Sequence, residues 1–197
     1  MSGAGGTPQI PPMTHRIALI SALLAASLLA APARAGQGDA RLDPLFRDLL
    51  ATADGAVAGA VEDRIWEIWL EHPGEEVLAL MRAGVQNLND DRAAAALAAF
   101  DAVVDRDPAY AEGWNKRANA NYLLGRYGAA VQDIRRVLLL EPRHFAALAG
   151  LGLVYLALDE PAGALRAFDA ALAINPHLEG VRAQAARLRQ RMAGPAL

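Results

Sequence analysis

Between Val77 and Leu178 apolar and small residues return in the same order every 34 residues. Aligning 77–110, 111–144 and 145–178 brings like residues into register. The fourth position reads Leu80, Trp114, Leu148 and the eighth Gly84, Ala118, Gly152. The twentieth reads Ala96, Ala130, Ala164, the twenty-fourth Phe100, Ile134, Phe168 and the twenty-seventh Val103, Val137, Ala171. Two antiparallel helices can approach closely only where small residues face each other, which positions eight and twenty provide. The larger residues at four, twenty-four and twenty-seven then fill the space toward the next hairpin. Pro108, Pro142 and Pro176 follow Asp107, Glu141 and Asn175 and end each second helix, because proline cannot continue one. Turns are predicted at Asn89-Asp90-Asp91, Gly125-Arg126-Tyr127-Gly128 and Asp159-Glu160-Pro161. Asp159 reads as a helix cap and Pro161 as a first-turn residue.

The flanks are also patterned. Carried backwards, the period outlines a degenerate hairpin over 43–76, with Phe46, Leu49, Trp66 and Trp69 at core positions. Leu50 and Glu62, however, stand where small residues belong. The preferred reading of 36–76 is therefore a helical segment in which Glu62 to His72 caps the first hairpin with its tryptophans; a binding role for Trp66 or Trp69 is the alternative. After Pro176, Val181, Ala185, Leu188 and Met192 recur at spacings of four, three and four. That pattern predicts an amphipathic capping helix over 179–192, with a tail at 193–197. Its arginines read as a solvated face.

Residues 1–35 carry a different pattern. His15 and Arg16 precede an apolar run from Ile17 to Ala31 that ends in Ala33-Arg34-Ala35, the parts of a secretory signal peptide, with Met13 as an alternative start. The run is short against the about 20 residues of a membrane span. The expectation is export, to a bacterial periplasm, with no membrane span after cleavage; an uncleaved segment would act as an anchor.

Composition narrows the chemistry. The chain has 197 residues and is 54% hydrophobic but only 6% aromatic. Its alanine content favours close-packed helices over a sheet. A net charge of −3 gives no basic excess to neutralise a phosphate backbone, so nucleic acid is not an expected partner. No cysteine is present, and Thr52 is the only serine or threonine after Ala35. Nucleophilic catalysis through these side chains is thereby nearly closed. His15, His72, His144 and His177 are far apart in sequence, and no metal-binding, phosphate-binding or dinucleotide fingerprint occurs. No enzyme activity, cofactor or metal is expected. Asp90-Asp91 and Glu75-Glu76 read as helix starts, where carboxylates offset the dipole.

Trp114, Gly152, Tyr155, Ala164, Phe168, Ala171 and Pro176 carry a pattern that resembles the tetratricopeptide repeat. Asn87 and Asn121 replace its usual tyrosine at position eleven, and Arg117 its usual leucine at position seven. The resemblance implies an all-α, right-handed α-solenoid of three hairpins whose first helices line a concave, peptide-binding face. By that resemblance the lining includes Arg82, Glu112, Asn115, Lys116, Asn119 and Tyr122. Asn115 and Asn119 are then candidates to bond an extended peptide backbone, and Lys116 and Arg82 to attract an acidic group. A chaperone-type carboxylate clamp is not supported, because Ala146 and Gly150 occupy its positions in the third repeat. The function expected is a non-enzymatic periplasmic scaffold or adaptor for a protein or peptide. The alternative is a structural subunit of an envelope assembly, docked through the flanking helices. The oligomeric state is left open.

Overall fold

The computed structural model describes residues 38–72 and 74–193, and the expected export segment lies outside them. Among the described residues the chain is nine helices and no strand. They are α1 (Leu42–Ala51), α2 (Gly55–Leu70), α3 (Glu75–Asn89), α4 (Ala93–Arg106), α5 (Ala111–Leu123), α6 (Tyr127–Leu140), α7 (Phe145–Ala157), α8 (Pro161–Ile174) and α9 (Glu179–Ala193). Helices α3–α4, α5–α6 and α7–α8 form three hairpins that stack in sequence, and α9 packs on α8. This is an all-α helical-hairpin solenoid.

The close approach inside each hairpin follows from the small residues. A methyl group built at Gly84 would stand 2.3 Å from the Phe100 ring, and one at Gly152 would stand 2.3 Å from Phe168. The middle hairpin solves the same contact with Ala118 and Ile134, both buried. The turns are equally regular. Asp91, Gly125 and Asp159 all adopt left-handed backbone, at φ 56°, 69° and 57°. Asp159 is therefore not the cap that the sequence predicts: it ends α7 and leaves Glu160 as the residue before α8. Asp90 and Asp91 likewise lie at the end of α3, not at the start of α4, whereas Glu75 and Glu76 do occupy the first turn of α3.

Between hairpins the residue before each proline folds back on the chain. Asp107 accepts the backbone N–H of Ala109, Glu141 that of Arg143 and Asn175 that of His177, at 2.8, 2.9 and 3.0 Å. The acidic-or-amide residue before each proline is thus a turn former.

The N-terminal helices depart from expectation. Helix α2 begins at Gly55, because the Asp54 carboxylate accepts the N–H groups of Ala56 and Val57 at 2.8 and 3.2 Å. The α1–α2 hairpin does not cap the first repeat with its tryptophans; it lies along the two inter-repeat loops and the loop that joins α8 to α9. At the first loop, Tyr110 Oη donates to the Leu70 carbonyl at 3.2 Å, and His72 Nε2 lies 2.9 Å from Asp107. At the second, Arg143 pairs with Asp43 at 2.7 Å, and the His144 ring stacks on Trp69 with centroids 4.2 Å apart. At the third, Asn175 donates to Glu62 at 2.9 Å and His177 meets the Leu49 carbonyl at 3.2 Å. Leu42, Phe46, Leu49, Ile65, Ile68 and Trp69 close a core against Phe145 at the start of α7. Glu62 could not fill a small-residue position in a repeat; here it reaches the third loop instead.

Candidate functional site

Helix α5 is the centre of the solenoid, and its surface carries most of the residues nominated from the sequence. Asn115, Lys116, Asn119 and Tyr122 converge on one cavity of about 260 Å³. Its floor is apolar, built from Ile134, Ala146, Leu153 and Val154, and Gly150 leaves it room. Its remaining wall is Trp66, from α2. Arg82 does not join this group. It lines a neighbouring cavity of about 450 Å³ with Leu78, Met81 and Val85 of α3, Tyr110, and Leu70 at the end of α2. Lys116 lines both cavities.

Two assignments change. Glu112, expected on the groove surface, is fully buried. His144 Nδ1 accepts the N–H of Ala147 at 3.1 Å, so the imidazole proton sits on Nε2 and is donated to Glu112 over 2.6 Å. Asn115 also donates to Glu112, at 3.1 Å, which engages its amide nitrogen but not its carbonyl oxygen. Burial pushes the Glu112 carboxyl up, but His144, Lys116 and Asn115 outweigh it and hold the acid below its ordinary value. Glu112 is thus an ionised, satisfied acid beneath the groove.

Lys116 sits 3.9 Å from Glu112 and 5.8 Å from the centre of the Trp66 ring. It makes no hydrogen bond among the described residues, and its side chain is 27% exposed. Arg82 is exposed and only 3.7 Å from Glu75 at its nearest. Asn119 is exposed, and Tyr122 packs at 5.8 Å from Tyr127.

Trp66 is the cavity residue that the preferred sequence reading assigned elsewhere. Trp66 and Trp69 are three apart, and their spacing marks a shared helical face without saying what covers it. Trp69 has no exposed surface, so docking of an envelope partner through it is not available. Among the described residues no cluster of histidine and carboxylate side chains is arranged to hold a metal, and no helix is long and apolar enough to cross a membrane.

Comparison with known proteins agrees with this architecture. The tetratricopeptide repeat family is matched over residues 88–138 and 124–179. A TPR repeat-containing protein of Rhizobium etli is 32% identical over 154 residues, spanning 78% of this chain and 76% of the relative. Among solved structures, the TPR2B domain of yeast Sti1 in its Hsp70 complex superposes with a TM-score of 0.56 at 19% identity. That match covers 60% of this chain and 99% of the domain. The first TPR of Spaghetti (RPAP3), bound to an HSP90 peptide, gives 0.58 at 19% identity, over 61% of this chain and 95% of that one. MamA gives 0.51 at 21% identity, over 68% and 84%. These structural likenesses are of fold, and with the sequence matches they place the chain in the tetratricopeptide repeat family.

Proposed function

We propose that this protein is a non-catalytic adaptor, exported to the periplasm, that holds a linear segment of a protein partner against α3, α5 and α7. The observation that carries the reading is the pair of adjoining cavities on that surface, joined at Lys116 and floored by apolar side chains. Clefts with apolar floors and a few convergent polar groups are where proteins hold ligands. The Sti1 and RPAP3 domains that share the fold are bound to chaperone peptides. Export rests on the apolar run and the Ala33-Arg34-Ala35 ending.

Affinity capture from envelope extract tests the groove. Lys116→Gln combined with Asn119→Arg, which places a long side chain into the smaller cavity, should lose the captured partner while helicity is unchanged. Retained capture would refute the groove. Fractionation of cells into periplasm and cytoplasm tests export, and a full-length cytoplasmic product would refute it.

A further inference from the structure

The α1–α2 hairpin roofs a proton site. His144 has no exposed surface, and its ring lies under Trp69 with Trp66 at its edge, 5.9 Å away. The two ring nitrogens are engaged in opposite senses: Nδ1 accepts the Ala147 N–H at 3.1 Å, and Nε2 donates to Glu112 at 2.6 Å. A second proton on this pair breaks a bond wherever it lands. On Nδ1 it confronts the N–H of Ala147. On Glu112 it confronts the Asn115 amide, which reaches both carboxylate oxygens at 3.1 and 3.3 Å. The surrounding charges oppose it too. Helix α5 brings Glu112 and Lys116, 3.9 Å apart, whereas α2 brings the two tryptophans and no charge. Arg143, next in the chain, is held between Glu141 and Asp43 of α1. His144 caps the start of α7 and Glu112 lies in the first turn of α5, so Lys116 and two positive helix ends already match the one carboxylate. The Trp69 face favours a cation by less than burial opposes one.

The hairpin is also put together as a separable unit. Seven of the eight buried residues in its core are its own, and Phe145 is the one from the solenoid, with Ala146, Ile174 and Leu178 at the edge. Beyond that seam it is held by one or two polar contacts at each of the three loops. Helices α3–α9 keep their own cores among themselves. Elements joined by few buried apolar contacts open before the rest of a fold.

We infer that α1–α2 is a proton-sensitive strap, which lifts from the loops in mild acid and takes the Trp66 wall of the smaller cavity with it. Docked, the Glu112–His144 pair carries one proton. Lifted, His144 meets water and takes up a second below about pH 6.5, the ordinary value of a solvated imidazole. One extra proton bound in the open state raises its population by up to about tenfold for each pH unit below that value. Glu112 is held ionised below its ordinary 4.5, so above that pH the histidine carries the effect within the pair. The other histidines do not share this arrangement. His177 donates to the Leu49 carbonyl, as an imidazolium also can, and His72 bonds Gly74 and Asp107, neither of them in the strap.

Hydrogen exchange of the full-length chain, followed by mass spectrometry from about pH 7 to about 4.5, tests the strap, with α4 and α6 amides correcting for the intrinsic pH dependence of exchange. The opening constant of α1–α2 should rise more than about tenfold across that range while α3–α9 stay protected. His144→Asn keeps an acceptor for Ala147 and a donor for Glu112 but takes up no proton there, so its opening constant should stay level, whatever its value at neutral pH. His177→Asn should keep the slope of wild type. A level response in wild type, a slope that survives in His144→Asn, loss of the slope in His177→Asn, or α3–α9 opening together with α1–α2 would each overturn the inference. Should His144→Asn lose its helicity, ring-nitrogen NMR shifts of the wild-type chain at about pH 5.5 decide instead. A neutral Nε2–H ring in the docked chain supports the strap, and an imidazolium there overturns it.

Discussion

Substituting Gly152 by alanine tests the packing logic of the hairpins. Three Phe168 ring atoms would lie 2.3, 2.4 and 2.8 Å from the new methyl group, well inside normal van der Waals contact. Phe168 is 1% exposed and enclosed by Ala164, Ala185 and Leu188, so the ring has little room to retreat. Overpacking of this kind costs about 1–3 kcal/mol, against which alanine gains about 1 kcal/mol over glycine within a helix. The net expectation is a loss of about 1 kcal/mol, or up to ~2. Phe168→Ile alone should cost about 1–2 kcal/mol, less than the roughly 3–5 of a truncation to alanine.

The middle hairpin indicates what the double variant should do. There, Ala118 packs with Ile134, and both are buried. Gly152→Ala with Phe168→Ile recreates that pair, so it should cost no more than Phe168→Ile alone. The coupling would then be about 1–3 kcal/mol in favour of the double variant. Urea unfolding followed by far-UV circular dichroism measures it; for a chain of this size each kcal/mol moves the thermal midpoint by roughly 2–4 °C. Additivity within ~0.5 kcal/mol, or a Gly152→Ala variant more stable than wild type, would refute the argument.

Arg117→Leu should destabilise by about 2–3 kcal/mol in urea titration, because the buried Asp133 loses bonds of 2.6 and 3.0 Å and keeps only Asn121 at 2.9 Å; adding Asp133→Ala should restore much of the loss. Trp69→Ala should cost about 3–5 kcal/mol by differential scanning calorimetry, and Trp69→Phe much less, since the buried indole nitrogen has no hydrogen-bond partner to lose. Glu112 makes stability depend on acid pH. Its folded carboxyl lies below the ordinary 4.5, so the unfolded chain takes up the proton more readily. The stabilisation is complete above about that pH and is lost as pH falls through the lower folded value. Glu112→Gln should therefore lower stability at neutral pH and flatten its decline in acid, which urea titrations across the range will show.

The hairpins were legible because their spacing is local and repeated. The small residues at 84, 118 and 152 meet partners sixteen residues on, within a single hairpin, so periodicity alone places the contact. The face of α5 was legible for the same reason: once helix register is known, Asn115, Lys116, Asn119 and Tyr122 share a side. Arg117 and Asn121 were visible as departures from the repeat pattern, but their common partner Asp133 was not. A buried ion pair leaves no periodic trace. The docking of α1–α2 was hidden more completely. Its bonds join residues as far apart as Glu62 and Asn175, or Leu49 and His177, and no pattern within α2 says which surface complements it. The three described histidines, scattered in sequence, are brought to that one interface by the stacking of the loops.

This interface also bears on the groove. Trp66 and Trp69 project from the same helix, one forming a cavity wall and the other stacking on His144. That imidazole holds Glu112 in its ionised form, and Glu112 is the counter-charge that leaves Lys116 near but unbonded. Remove α1–α2 and His144 loses its ring partner, water reaches the Glu112 pair, and the smaller cavity loses a wall. The electrostatics at Lys116 would then be those of a solvated lysine, for which a surface ion pair contributes only about 0–1 kcal/mol. A segment that fits the 34-residue period only as a degenerate hairpin therefore does more than end the solenoid: it keeps the central lysine of the groove partly dry.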